Sequence, residues 1–370
     1  MPTYTKTQHG YLILADISGY SSFVAESELE HAHDILSELL ELVLKHITTI
    51  FTLSKLEGDA IFAYAPEEKL KRGETLFELV ESTYMAFKVH QDAIGRRTTC
   101  QCNACRNIPS LDLKFMVHHG DYIFQSIGNQ SEMVGNDVNL VHRLLKNHVA
   151  EVSGWRGYAL FTDQALSNIG LKPDGLQEMK ETYDIGEVNI FVANLNDRYQ
   201  TLRDLRRVIV DQSDADLIYE FEYPAPPPIV WDWLNDPQKR LKWEYADRHI
   251  FPFFMPKGRT TVGAVNHCMH GTNLAMIETV LDWRPFDYFT VTQDVLQAVL
   301  MTITFQLQST ATGTHLTYVC KLQPQIPIPM PANLKLTAVK RELDKLKVKE
   351  AYEKISELII QENQATSGFE

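Results

Sequence analysis

Two aspartates stand where an acid can do more than shape a turn. Asp16 ends the apolar run YLILAD, and Asp59 follows Gly58 at the turn of SKLEGDAIFAY. Taken alone, an aspartate at a strand end is a turn former. Two on neighbouring strand ends also make the smallest set that holds Mg²⁺, an ion usually bound by one or two carboxylates and the oxygens of a phosphate substrate. Lys55 lies four residues before Asp59, Glu132 sits in the polar stretch SEMVGND, and Asn139 and Arg143 are four apart. That last spacing puts both side chains on one face of a helix, as a shared site requires. Each residue has an ordinary alternative. Lys55 can be a solvated edge residue, Asn139 a helix-start residue, Arg143 the partner of a surface glutamate, and Glu132 simply hydrated. Glu57 has no assigned role.

A second cluster is TTCQCNACRN, where Cys100, Cys102 and Cys105 form C-x-C-x-x-C. Three thiolates at this spacing can hold a structural Zn²⁺, for which a closed site needs a fourth ligand. His90, His118 or His119 can supply it if the loop folds back; the alternative is three reduced thiols in a loop. His118 and His119, beside Gly120, read as hairpin residues.

The elements that must position these groups follow from periodicity. YLILAD predicts a strand, and His31–Ile47 a helix with Ile35, Leu36, Leu39, Leu40, Val43 and Leu44 on one stripe. SKLEGDAIFAY predicts a hairpin and Leu76–His90 a second helix. LDLKFMVHHG alternates as a strand with DYIFQSIG as its hairpin partner, VNLVHRLLKNHV is helical, and YALFTDQAL and NIFVANL are late strands. The order β-α-β-β-α-β fits a ferredoxin-like α+β layer. Residues 201–214 read as a charged linker between a unit at 1–200 and another at 215–370. The second unit opens LIYEFEYPAPPPIVWDWL: a strand, a proline-rich turn and a helix from about Ile229. Several strands follow, then PQIPIPMPAN as an extended connector or lid, then a helix over Leu334–Ile360.

Composition narrows the classes. A chain of 370 residues with 44% apolar content is long enough for two cores and too apolar for disorder. The net charge of −13, with no long basic run, argues against a double-stranded nucleic acid partner. MPTYTKTQHGYLILADISGY lacks a basic leader, and no run approaches the roughly 18 apolar residues of a membrane helix. Five cysteines, an odd number, suggest a reducing compartment, so the expected location is the cytoplasm.

In order along the chain, ADISGYSSF, KLEGDAIFAY and MVGNDVNLVHRL resemble the three motifs of the class III nucleotidyl cyclases, over Gln8 to about Asn196. The resemblance implies roles. Asp16 and Asp59, with Ile17 beside them, match the metal-binding positions for Mg²⁺ or Mn²⁺. Lys55 and Glu132 match the residues that read the base, which implies ATP as substrate. Asn139 and Arg143 match the pair that orients the ribose and stabilises transition-state charge. It further implies a homodimer, with metal aspartates from one protomer and the other residues from its partner, making cyclic AMP and pyrophosphate. The late stretch ETYDIGEVNIFVANL offers Glu187 and Asn189 where active members of the family carry a triphosphate-binding lysine. A module that binds nucleotide or a lipid-like ligand without turnover is the alternative.

The second unit resembles the START-like, or SRPBCC, superfamily in APPPIVWDWLNDPQKRLKW and in the order of the strands and long helix that follow. This implies a helix-grip α+β fold around an apolar cavity for a hydrophobic small molecule with a regulatory role. Trp231, Trp243, Phe253 and Trp283 are candidate lining residues as a set; taken singly, each reads as an ordinary core residue. Cys268 and Cys320 read as core.

Overall fold

The computed structural model describes residues 6–70, 72–97, 102–127, 130–204, 207–244, 248–270, 273–295, 299–324, 331, 333–334, 336–337, 340–341 and 347–367. The chain forms two units, residues 1–205 and 206–370. Both are α+β. Among the described residues no helix is long and apolar enough to cross a membrane.

The first unit is built on strands β1 (Gln8–Ser18), β2 (Thr52–Glu57), β3 (Ala60–Pro66), β4 (Asp112–Ile127), β5 (Gln130–Val134), β6 (Tyr158–Thr162), β7 (Gln177–Tyr183) and β8 (Gly186–Asn194). They pair in the order β2-β3-β1-β4-β6-β8-β7, with β5 on the far half of β4. The sheet is mixed: β4 and β6 run parallel, and the other pairs are antiparallel. A strand covered on both faces needs a continuous apolar run, and Tyr11 to Ala15 supply it; all five are buried.

The helices are α1 (Tyr20–Glu26), α2 (Leu29–Ile47), α3 (Glu74–Arg97), α4 (Asn103–Asn107), α5 (Asn136–Leu144), α6 (Val149–Ser153), α7 (Asp163–Ile169) and α8 (Leu195–Asp204). On α2 the buried residues are Ala32, Ile35, Leu36, Leu39, Val43 and Ile47, a stripe at helical period that faces the core. Val138, Val141 and Leu144 do the same for α5 against Leu12, Leu14, Phe62 and Met116 of the sheet.

Residues Asp112–Ile127 are one continuous strand, not a hairpin broken at Gly120. Gly120 pairs with Gly10, and a Cβ there would collide with the Asp137 carboxylate, which accepts a hydrogen bond from the Asp121 N–H at 2.7 Å. The glycine therefore makes room for a side chain instead of turning the chain. The hairpin partner is β5, paired from Ile123↔Val134 to Ile127↔Gln130.

The second unit contains β9 (Leu217–Tyr223), α9 (Pro227–Asn235), α10 (Pro237–Trp243), β10 (Arg248–Phe254), β11 (Val265–His270), β12 (Asn273–Arg284), β13 (Tyr288–Val295), β14 (Val299–Thr310), β15 (Gly313–Pro324) and α11 (Val348–Ser367). Its sheet is antiparallel throughout, in the order β10-β11-β12-β13-β14-β15-β9. Prolines open α9, where a missing N–H costs nothing, and Asp236 caps α10 by accepting from the Gln238 and Lys239 N–H groups at 2.7 and 2.9 Å. The closing helix does not run unbroken from Leu334. Lys347 takes φ 51°, left-handed and incompatible with a continuing helix, and α11 begins after it. Of PQIPIPMPAN, residues 325–330 and 332 lie outside the described residues.

Trp231, Trp243 and Trp283 are buried in the core of this unit together with Ile355 and Ile359 of α11. They pack ring on ring: Trp231 lies 4.7 Å from Trp283 and 5.1 Å from Phe289, and Trp243 lies 4.9 Å from Tyr352. Phe253 departs from the expected lining. It is 65% exposed and stacks at 4.1 Å on His267, because it sits on the sheet's edge strand.

Candidate functional site

The centre of the first unit's sheet brings the two aspartates together. Asp16 near the end of β1 is opposite Ala60 of β3 on one side and Lys114 of β4 on the other. Gly58 turns the β2–β3 hairpin at φ 68°, a left-handed conformation that favours glycine. The Ile17 N–H donates to the Asp59 carbonyl at 3.2 Å, which fixes the turn beside the strand end. Asp16, Ile17, Asp59, Lys114, Arg156 and Tyr158 line one cleft of about 410 Å³.

Its electrostatics are unbalanced. Burial and then the neighbouring Asp16 push the Asp59 carboxyl above the usual aspartate range, against weaker opposition from its own backbone N–H and Lys114. The Lys114 ammonium reaches Asp16 Oδ2 at 3.1 Å, and both side chains are largely buried. Arg156 adds a second cation, with its guanidinium donating to the Ser110 carbonyl. A cleft with two carboxylates, one of them burdened by the other, fits a hard divalent cation with oxygen ligands, and the lysine ammonium already lies against one of those oxygens.

Lys55 and Glu132 share a different cleft, of about 340 Å³, with Glu57, Phe62, Met133 and His142. Glu57 sits between a lysine and a histidine there, 3.7 Å from Lys55 Nζ and 3.3 Å from His142 Nδ1. The His142 ring lies 4.8 Å from Phe62. Asn139 and Arg143 share the exposed face of α5 and belong to the lining of neither cleft. Arg143 donates to Asp184 at 2.8 Å, an exposed pair. On the late strands, Lys180 of β7 stands directly opposite Asn189 of β8 and pairs with Glu187 at 2.7 Å.

Lys114, Arg156, Lys180 and His142 were not singled out by sequence reasoning. Lys114 alone left a signal, as a charge within the apolar run LDLKFMV. His118 is not a turn residue; it is buried, bonded to Thr162 Oγ1 at 2.8 Å and to Asp137 at 3.1 Å. Of the cysteine cluster, Cys100 lies outside the described residues, while Cys102 and Cys105 converge with His31. The three histidines named as alternative fourth ligands have contacts elsewhere: His90 with Glu38, His118 with Thr162 and Asp137, and His119 with Glu67.

A sequence-family profile described as "Protein of unknown function (DUF2652)" matches residues 36–153. The "Uncharacterized protein Rv2561/Rv2562" of Mycobacterium tuberculosis (strain ATCC 25618 / H37Rv) is 33% identical over 117 residues, covering 31% of this chain and 52% of that protein. Solved structures similar to part of the chain include a bacterial light-regulated adenylyl cyclase (10% identity, TM-score 0.40, 52% of this chain and 54% of that one). Two others are the guanylyl cyclase Cya2 (14%, TM-score 0.39, 51% and 92%) and the adenylyl cyclase CyaB from P. aeruginosa (18%, TM-score 0.38, 51% and 96%). The chain spans about half the length of the curated relative it matches and of the first of these structures.

Proposed function

We propose that the first unit is a nucleotidyl cyclase domain that converts ATP to cyclic AMP and pyrophosphate in a homodimer. The observation that carries this reading is the separation of its two sets of groups. Asp16 and Asp59 line one cleft, and Lys55 and Glu132 line another. One complete site then takes the first cleft from one protomer and the second from its partner, and a head-to-tail pair holds two such sites.

Asp16, Asp59 and the main-chain carbonyl of Ile17 are the groups that would hold Mg²⁺ or Mn²⁺, which screens phosphate charge and helps to ionise the attacking hydroxyl. Lys55 donates to a ring nitrogen of the base, and Glu132 accepts from its amino group. Asn139 orients the ribose so that the 3′-oxygen lies in line with the α-phosphorus. The new bond joins that oxygen to phosphorus, the bond to the β-phosphate oxygen breaks, and the hydroxyl proton leaves to solvent. Arg143 stabilises the charge that develops, exchanging its Asp184 partner for the phosphate. Lys114 and Arg156 supply further positive charge on the triphosphate side, the task for which β8 offers only Glu187 and Asn189.

The test is product analysis after incubation of the purified protein with Mn²⁺ and each of the four common nucleoside triphosphates. Cyclic AMP and pyrophosphate are expected from ATP and not from Asp16→Ala. The reading fails if no cyclic nucleotide forms and Asp16→Ala leaves nucleotide and metal binding unchanged. One observation favours a second reading, a nucleotide-binding module without turnover: the Lys114 ammonium on Asp16 can stand permanently in place of a metal. ATP binding without pyrophosphate release selects it.

For the second unit we propose a START-like ligand-binding role. The indole N–H groups of Trp231 and Trp233 are buried and have no hydrogen-bond partner among the described residues. An apolar ligand bearing one acceptor oxygen would satisfy such a group. Fatty-acid or sterol probes that fail to shift tryptophan fluorescence would remove this reading.

A further inference from the structure

The N-terminal unit carries a second cluster of metal-binding atoms, and its chemistry differs from that of the aspartates. His31 lies in the first turn of α2, Cys102 is the N-cap of α4, and Cys105 is within α4. The His31 ring, the Cys102 thiol and the Cys105 thiol place their ligand atoms within 4.8 Å of one another. His31 Nδ1 is 3.3 Å from Cys102 Sγ. Zinc–sulfur and zinc–nitrogen bonds of about 2.3 and 2.0–2.1 Å at a tetrahedral angle put such a pair about 3.5 Å apart. The pair is therefore already close to zinc-bound spacing.

The surroundings hold the thiols in place. The Glu28 carboxylate accepts from the Asn103 and Ala104 N–H groups at 3.2 and 3.1 Å, which ties α4 to the residue just before α2. The Cys105 N–H donates to Cys102 Sγ at 3.4 Å, which fixes that sulfur over the first turn of α4. Two soft sulfurs and an imidazole select Zn²⁺ over Mg²⁺, whereas the oxygen-only set at Asp16 and Asp59 does the reverse.

The cluster is joined to the cleft by a short segment. After α4 the chain makes a 3₁₀ turn at Ile108–Ser110, anchored by the buried Gln91, whose Nε2 donates to the Ile108 and Leu111 carbonyls at 2.8 Å each. Ser110 then presents its carbonyl to Arg156, and the space where a Cβ of Gly19 would stand lies 2.9 Å from that same oxygen. Residues 102–110 thus run from the cysteines to the back wall of the aspartate cleft.

We propose that His31, Cys102 and Cys105 bind one Zn²⁺ ion, a structural site that fastens this segment to the start of α2. It stands apart from the cyclase reading, since its ligands, its preferred metal and its readout are all different. Three protein ligands leave a fourth position on a tetrahedral ion.

The experiment uses the full chain purified without chelator, measured for zinc and then exchanged with Co²⁺. About one equivalent of zinc per chain is expected, and the Co²⁺ form should show thiolate charge-transfer and tetrahedral ligand-field absorption. Cys102→Ser and Cys105→Ser should lose the charge-transfer band. His31→Ala alters an exposed side chain, so the fold should survive by circular dichroism. Its Co²⁺ affinity should fall by more than the roughly 10- to 100-fold that follows loss of a group that merely orients a ligand. Metal-free protein whose Co²⁺ complex lacks thiolate absorption would overturn the site. So would His31→Ala with unchanged affinity, and the latter outcome stays readable even if the cysteine variants fail to fold.

Discussion

Glu278 and Asp59 are both carboxylates set among strands near positive charge, and their surroundings treat them in opposite ways. Glu278 is fully enclosed in the second unit. It accepts from Arg240 at 2.8 and 3.1 Å, from Asn266 at 3.0 Å and from Gln293 at 2.8 Å. Burial raises its pKa, but Arg240 and these bonds outweigh burial and hold it down at about 2. Asp59 in the first unit is held above its usual range by burial and by Asp16, which no nearby group offsets in full. The lesson is a physical criterion. A charge whose partners are complete belongs to the scaffold, whereas one left under-compensated at the mouth of a cleft is available to a ligand.

The strongest way to break the comparison is to remove groups of the candidate site. Asp16→Ala and Arg143→Ala should each abolish cyclase turnover while leaving the fold intact. If sites are shared between protomers, mixing the two inactive variants should restore roughly a quarter of wild-type activity, since half the dimers are mixed and each holds one sound site. No recovery on mixing would exclude a shared site. Next in size, Arg240→Met strands Glu278 without its partner and should cost about 3–5 kcal/mol in denaturant unfolding. Four of the five tryptophans lie in the second unit, so their fluorescence reports it. A loss under 1 kcal/mol would mean that the buried pair is not what compensates Glu278.

Lys114→Met should sharpen the contrast more gently. With the ammonium gone from Asp16, Mn²⁺ should bind several-fold more tightly, and ATP turnover should fall if the same lysine steadies phosphate. Weaker Mn²⁺ binding would show the lysine to be a support for the acids and not a competitor. The smallest effect is in the pH dependence. The lowered pKa of Glu278 contributes stability that is full above the ordinary glutamate range and is lost as pH falls through about 2. The raised pKa of Asp59 acts the other way: its contribution is present below the ordinary aspartate range and is lost as pH rises through the raised value. Asp59→Asn should therefore slightly stabilise the first unit at neutral pH, and Glu278→Gln should destabilise the second. Melting curves that move in the same direction would contradict this assignment.

Much of the scaffold was legible because it obeys a period. The α2 stripe and the β1 apolar run follow from spacing alone, and Asp16 and Asp59 stand out because a strand end and a turn glycine mark them. What escaped depends on contacts between distant residues. Nothing in LDLKFMV says that Lys114 faces Asp16; only the pairing register of β1 with β4 does. His31 and Cys102 are separated by 71 positions, so no motif spacing connects them. Gly120 misled for a more instructive reason. Glycine usually marks a turn, but here its missing side chain makes room for Asp137 across the sheet.

The hairpin that carries Lys55 has one more consequence. At the end of the sheet, β2 would offer a row of unpaired backbone groups to any extended chain, flanked by the exposed Leu53 and Leu56. Its pairing with β3 slips between Leu53 and Lys55, and this irregularity, followed at once by a lysine, interrupts the row. Such an edge is poorly suited to strand addition. Along this edge, copies of the protein are thereby discouraged from joining sheet to sheet. Pairing on this side of the sheet is left to side-chain surfaces, where an association can close on itself and stop.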